Sequence, residues 1–215
     1  MRLCILGLAR TGSTSLFYMV KEHIVKNGFT CISEPFHPPH KEFYKSEFNC
    51  DFNKVDDLLK YDKLLIKTLI GSDQYPTNQF KSYDDFLIWL ESFFDKIIVL
   101  SRKNKREQAE SFVVNSQSNT SWHTPKIYDI KKMDLTFVDE MEKSFILNEE
   151  ILFNFAKENN HPIFFYEDIF IERNLDITKS LLGYFGLTLE NEAYENWVIK
   201  DRRVRKDPPE INKLF

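Results

Sequence analysis

The apolar run RLCILGL breaks at its second-last residue into GLARTGST, Gly7 to Thr14, and this junction constrains the chain more than any other stretch. A short apolar run predicts a buried strand. Beyond the loop, STSLFYMVKEHIVKNG repeats Leu16, Val20 and Ile24 every four residues and closes on Asn27-Gly28, which predicts a helix and its end. Strand, glycine loop and helix in that order form the setting in which a loop holds an anion. The backbone N–H groups of the helix start converge on one point, with the helix dipole behind them. The two glycines have the separation of a phosphate-binding P-loop, but the lysine that should follow the second is missing: Ser13 stands there, then Thr14. Arg10 supplies positive charge from inside the loop, and Ser13, Thr14 and Ser15 add hydroxyl donors. In an ordinary P-loop that lysine neutralises the terminal phosphates of a nucleoside triphosphate together with magnesium. No Asp ends LLIKTLI or KIIVLS to hold such a metal. An ATP or GTP enzyme is therefore disfavoured, and a tight strand–helix turn without a ligand is the bland alternative.

Four further apolar runs predict strands: FTCI, LLIKTLI, KIIVLS and PIFFY. Helical patterns lie around 51–59, 83–94, 105–115 and 136–158, where Val138, Met141, Phe145, Leu152 and Phe155 share one face. Two shorter helices are expected near 177–185 and 190–198. Strands alternating with helices predict an α/β fold: one P-loop-type domain over residues 1–215, with a mostly parallel central sheet flanked by helices. At 215 residues and 42% hydrophobic, the chain is long enough for one real core. The net charge of −4 points away from a nucleic-acid partner. Cys4, Cys31 and Cys50 follow no disulfide or zinc spacing, and Cys4 and Cys31 read as core residues. No apolar run reaches the length of a membrane span, and the run before Arg10 is too short for a signal peptide. A cytoplasmic protein is expected. The polar, patternless stretch 116–134 reads as a loop over a site.

A second feature is VLSRKNKREQAES, which places Arg102 just after a strand and Ser111 on the following helix. An arginine fork and a hydroxyl at the C-terminal sheet edge suit a phosphate, and ligands of open α/β sheets bind at that edge. Alone, the basic run would be a solvated helix start. Beside the first loop it becomes a second anion point, and two such points suit a nucleotide phosphorylated at two positions.

These residues resemble the sulfotransferases that use 3'-phosphoadenosine-5'-phosphosulfate (PAPS). RTGSTS, Arg10 to Ser15, is similar to that family's 5'-phosphosulfate loop, and Arg102 with Ser111 is similar to its 3'-phosphate element. The likeness is greatest to short bacterial enzymes related to trehalose 2-sulfotransferase. It extends through SEPF, IKT, RKNKREQAESFVVNSQSNTSW and FYED, from Ile5 to about Phe170. Nine positions separate Arg102 from Ser111, one more than in the animal cytosolic enzymes, which leaves Lys103 as an alternative phosphate ligand. RRVRKDPPE resembles the basic segment that wraps the 3'-phosphate in some members, with Asp207 where a glycine is usual. Arg205 and Lys206 carry over on that likeness, against a solvated basic tail.

The resemblance implies transfer of a sulfuryl group to a hydroxyl of a carbohydrate, glycolipid or small metabolite by metal-independent in-line displacement. Thr11, Gly12, Ser13, Thr14 and Ser15 would hold the 5' end of the donor, with Arg102 and Ser111 at the 3' end. Arg10 matches the catalytic Lys/Arg position, and Lys67, at a strand end, would assist. Glu34 is the expected base, with His37 and His40 as rivals. His37, Trp122 and His123 are candidate acceptor contacts, and His23 and His161 read as structural. Tyr166, Glu167 and Asp168 read as structural or substrate-positioning, with Asp168 alternatively a helix cap. No metal ligand set is expected. The bacterial members include dimers, so a homodimer is among the expectations. Two other classes stay open: a P-loop small-molecule or nucleotide kinase, and a non-catalytic nucleotide-binding relative. A sulfuryl group carries one negative charge fewer than a terminal phosphoryl, so backbone donors and one arginine offer a rationale for the missing lysine.

Overall fold

The computed structural model describes residues 1–36, 55–70, 80–117 and 133–188. Its five strands are β1 (Arg2–Gly7), β2 (Thr30–Ser33), β3 (Leu64–Leu69), β4 (Lys96–Ser101) and β5 (Ile163–Phe165). They form one sheet in the order β2-β3-β1-β4-β5, and every pairing is parallel. Each strand lies within one residue of an apolar run in the sequence. The helices are α1 (Ser13–Ile24), α2 (Tyr83–Phe93), α3 (Lys105–Gln117), α4 (Leu135–Glu158) and α5 (Leu175–Tyr184).

Strands buried on both faces read as unbroken apolar runs rather than alternating ones, as parallel strands under helices must. On one face, Cys4, Leu6, Ile66, Ile97 and Val99 pack with α2, α3 and α4 through Phe86, Leu90, Ala109, Val113, Val138, Phe145 and Leu152. On the other, Leu3, Ile5, Leu65, Ile98 and Leu100 pack with α1 and α5 through Leu16, Val20, Ile24, Leu181 and Leu182. Thus β1 sends its chain to one face, while both its neighbours are followed by helices on the other. The loops part at the C-terminal ends of β1, β3 and β4, where open α/β sheets place ligands.

Two expectations change. The helix at 51–59 is, within the described residues, a single 3-10 turn, Val55–Leu58. Among the described residues of that stretch, Val55 and Leu58 face the core, too little to repay helix nucleation. Ser116 belongs to α3, and Asp134 caps α4 by accepting from Phe137 N–H at 3.1 Å. Residues 118–132, expected as a loop, and 190–198, expected as a helix, lie outside the described residues.

Candidate functional site

The loop after β1 is shaped by two close approaches. A Cβ on Gly7 would stand 2.8 Å from the carbonyl oxygen of Leu100 in β4. Gly12 has φ of 78°, and a Cβ there would meet the ring of Tyr166 at 2.4 Å. Only glycine meets both demands at Gly12. Gly12 is also the N-cap of α1. No side chain caps that helix and no acidic residue lies in its first turn, so the backbone donors of its start are not neutralised from within. The hydroxyl of Thr11 is buried and donates to Leu8 O at 2.8 Å, and Ser13 is buried as well. Thr11 therefore shapes the loop with its side chain and offers a ligand its backbone N–H. Thr14 is the exposed hydroxyl.

The positive charge missing from the loop comes from the neighbouring strand. Lys67 was expected at a strand end; it lies inside β3, opposite Ile5 of β1 and Ser33 of β2, and is 1% exposed. The ladder continues past it because the apolar run does, with Ile70 N–H donating to Gly7 O at 2.8 Å. On a strand, Lys67 shares the face of Leu65, the α1 face, and its Nζ donates to Thr14 Oγ1 at 2.9 Å. Its second partner is the carboxylate of Glu34. Burial drives the Lys67 ammonium below the ordinary lysine range; Glu34 opposes that drop and Arg10 adds to it. Since Thr14 Oγ1 accepts from Lys67, its own O–H remains a donor.

Glu34 is held from both sides. It follows β2 with φ of 52°, and its N–H donates to Lys67 O at 2.7 Å, extending the β2–β3 ladder by one residue. Two residues on, Phe36 is buried edge-to-face on Phe86 (5.4 Å) and Trp89 (5.8 Å). Among the described residues, four non-glycine residues have positive φ: Arg10, Glu34, Asn160 and Arg173. The last two end helical segments, where left-handed geometry is routine. Arg10 and Glu34 have no such reason, and strained backbone of this kind gathers at functional sites.

Arg10 and Ser111, assigned by their spacing to different anion points, meet: Arg10 Nε donates to Ser111 Oγ at 3.0 Å. One turn earlier on α3, the fully buried Gln108 donates from Nε2 to Ala9 O at 2.7 Å. Gln108 had no role in the sequence reading beyond its place in the resemblance; its signal was an amide one helical turn from Ser111 on one face.

Arg102 belongs to a second cluster. It is 12% exposed, its Nη2 donates to Glu107 at 2.7 Å, and its guanidinium lies 5.0 Å over the Tyr166 ring. Because the same ring packs on Gly12, Tyr166 links Arg102 to the loop. Lys103 instead pairs with Asp168, with Glu172 at 3.8 Å, and hydrogen bonding to Asp168 raises its pKa. Of the two rival phosphate ligands, Arg102 is thus the one beside the loop. Asp168, weighed as a helix cap, uses its side chain on Lys103. Its neighbour Glu167 accepts the N–H groups of Lys103 (2.8 Å) and Asn104 (3.1 Å) ahead of α3, which Asn104 itself caps by accepting from Glu107 N–H at 3.0 Å.

Lys105 bonds Ser101 Oγ (3.1 Å) and Glu149 (2.5 Å), tying β4, α3 and α4 together. His23 bonds Met19 O, and His161 pairs with Glu91, as structural histidines would. His37, His40, Trp122, His123, Arg205 and Lys206 lie outside the described residues. Among the described residues, no helix is long and apolar enough to cross a membrane. No protein-family model matches the chain, and no curated protein matches it either.

Proposed function

We propose that this protein is a cytoplasmic sulfotransferase that moves a sulfuryl group from PAPS to a hydroxyl of a carbohydrate, glycolipid or small metabolite, without a metal ion. The observation that carries the reading is the Lys67 ammonium, buried in β3 and bonded to both Thr14 and Glu34 beside the uncapped start of α1. In a P-loop NTPase the hydroxyl at the Thr14 position holds magnesium. Here a fixed ammonium already occupies that hydroxyl, and a divalent cation would be repelled by it. The arrangement supplies a cation of fixed position without the triphosphate machinery.

The residues divide the work. Backbone N–H groups at the start of α1 receive the anionic end of the donor. Arg10 and Lys67 face the charge that develops on the departing bridging oxygen. Glu34, aligned by Lys67 and anchored through Phe36, takes the acceptor's hydroxyl proton. Arg102, held over the Tyr166 ring, and Ser111 receive the 3'-phosphate. PAPS brings the activated sulfuryl group; the chain supplies position, charge and one base.

Calorimetry with 3'-phosphoadenosine-5'-phosphate (PAP), the desulfated product, in EDTA tests the reading. Micromolar binding without metal is expected, much weaker for AMP and reduced in Arg102→Ala. Glu34→Gln should keep PAP binding and lose turnover by about a hundredfold or more, the share of a general base. Binding of ATP only with magnesium would return the loop to a kinase, and PAP binding without turnover on any acceptor would mark a non-catalytic relative.

A further inference from the structure

We propose that Gln108 is the positioning residue that fixes Arg10, so that α3 and not the loop itself sets the geometry of the anion site. The proposal rests on the reading of that site given above. Two contacts one helical turn apart carry it. Gln108 Nε2 donates to Ala9 O at 2.7 Å, and Ser111 Oγ accepts from Arg10 Nε at 3.0 Å. Ala9 O belongs to the peptide that leads into Arg10, whose φ is 65°. Gripping that carbonyl fixes the plane of the Ala9–Arg10 peptide and so the direction in which the Arg10 side chain leaves the loop. Ser111 then holds the far end of the same side chain. Residues three apart on a helix share a face, so the two grips form one rigid ruler.

The energetics of Gln108 favour this role over a purely structural one. The residue is fully buried, and among the described residues its Oε1 has no hydrogen-bond partner. A buried amide satisfied on one side only is a poor choice for stability. An apolar side chain of the same length would remove that orphan acceptor. What only the amide supplies is a donor at a defined point of the loop. Supporting groups of this kind hold a binding group to the tolerance that its chemistry requires.

The test uses the full chain and four proteins: wild type, Gln108→Met, Arg10→Ala and the double variant. The first readout needs no ligand. The Arg10 Nε–H cross-peak in a proton–nitrogen NMR spectrum, assigned by its loss in Arg10→Ala, should shift and exchange faster in Gln108→Met, while the melting temperature stays within about 4 °C. The second is calorimetry with PAP. Gln108→Met should weaken binding by about tenfold, and the double variant should bind no more than about twofold more weakly than Arg10→Ala alone, since the effect runs through Arg10. An unchanged Arg10 cross-peak, or additive losses in the cycle, overturns the proposal. Should Gln108→Met not fold, Gln108→Asn, one methylene too short to reach Ala9 O, carries the same expectations. If wild type does not bind PAP, the sulfotransferase reading falls, and the cross-peak alone decides the role of Gln108.

Discussion

Replacing Lys67 with methionine should remove function without harming the fold. The usual expectation for half of a buried ion pair is the opposite: deleting one partner costs about 3–5 kcal/mol, because it strands a buried charge. The asymmetry of this pair reverses it. Lys67 is 1% exposed, whereas the Glu34 side chain keeps 24% of its surface in contact with solvent. The substitution deletes the desolvated partner and leaves the one that water can reach. The fall of the Lys67 pKa shows that desolvation outweighs the attraction of Glu34. The folded protein therefore binds that proton less well than the unfolded chain. In the window between the lowered folded value and the ordinary 10.5, the unfolded chain carries more protons, so stability rises with pH there; below that window the full penalty persists. Methionine keeps the length of the stem and removes the penalty. Losing a partly exposed pair costs up to about 1 kcal/mol, against a recovered desolvation of order 1–3 kcal/mol, so Lys67→Met should be neutral to about 2 kcal/mol more stable. Turnover should fall by about two to three decades, the share of one preorganised charge at an oxyanion. Urea unfolding at pH 7, and again between pH 8 and pH 10.5, gives both the gain and the flattened pH slope. A loss of about 3 kcal/mol or more would instead show that Lys67 holds the fold together.

Gly12→Ala should lose about 2–4 kcal/mol in urea unfolding, combining a positive φ with overlap on Tyr166. In a Tyr166→Ala background the loss should shrink to the φ part, about 1 kcal/mol, with a small remainder from the 3.2 Å approach to Phe170, and an equal loss in both backgrounds would show that the Tyr166 ring is not the obstacle. In a Cys50→Ser variant no thiol should react with an aromatic disulfide reagent at pH 8 before denaturation. Burial pushes the Cys31 thiol up to about 11 and Cys4 further still, and reaction of either in the native protein would contradict their burial.

The strands were legible because a parallel strand covered on both faces has to be apolar at every position, and five such runs stand out from their surroundings. The helices showed through their periodicity, down to the shared face of Val138, Phe145, Leu152 and Phe155. The loop was legible because its demands are local: Gly7 and Gly12 sit at fixed offsets from a strand and a helix. What stayed hidden depends on neighbours far along the chain. Lys67 was legible as an assisting cation at a strand end, but not as the partner of Thr14 and Glu34. That it answers the absence of a lysine at Ser13 follows from strand order, since β3 pairs with β1 although a whole helix and β2 lie between them in sequence. Tyr166, in turn, reaches Gly12 only because β5 pairs with β4 and the turn after it folds back over the loop. The two anion points read separately from GLARTGST and VLSRKNKREQAES touch through Arg10 and Ser111 for the same reason, β4 being the other neighbour of β1. A charge carried by the loop's own lysine moves with the loop. The same charge carried by Lys67 is fixed in the sheet, and the loop must be registered against it from outside. That registration falls to the helix after β4, through Gln108 and Ser111.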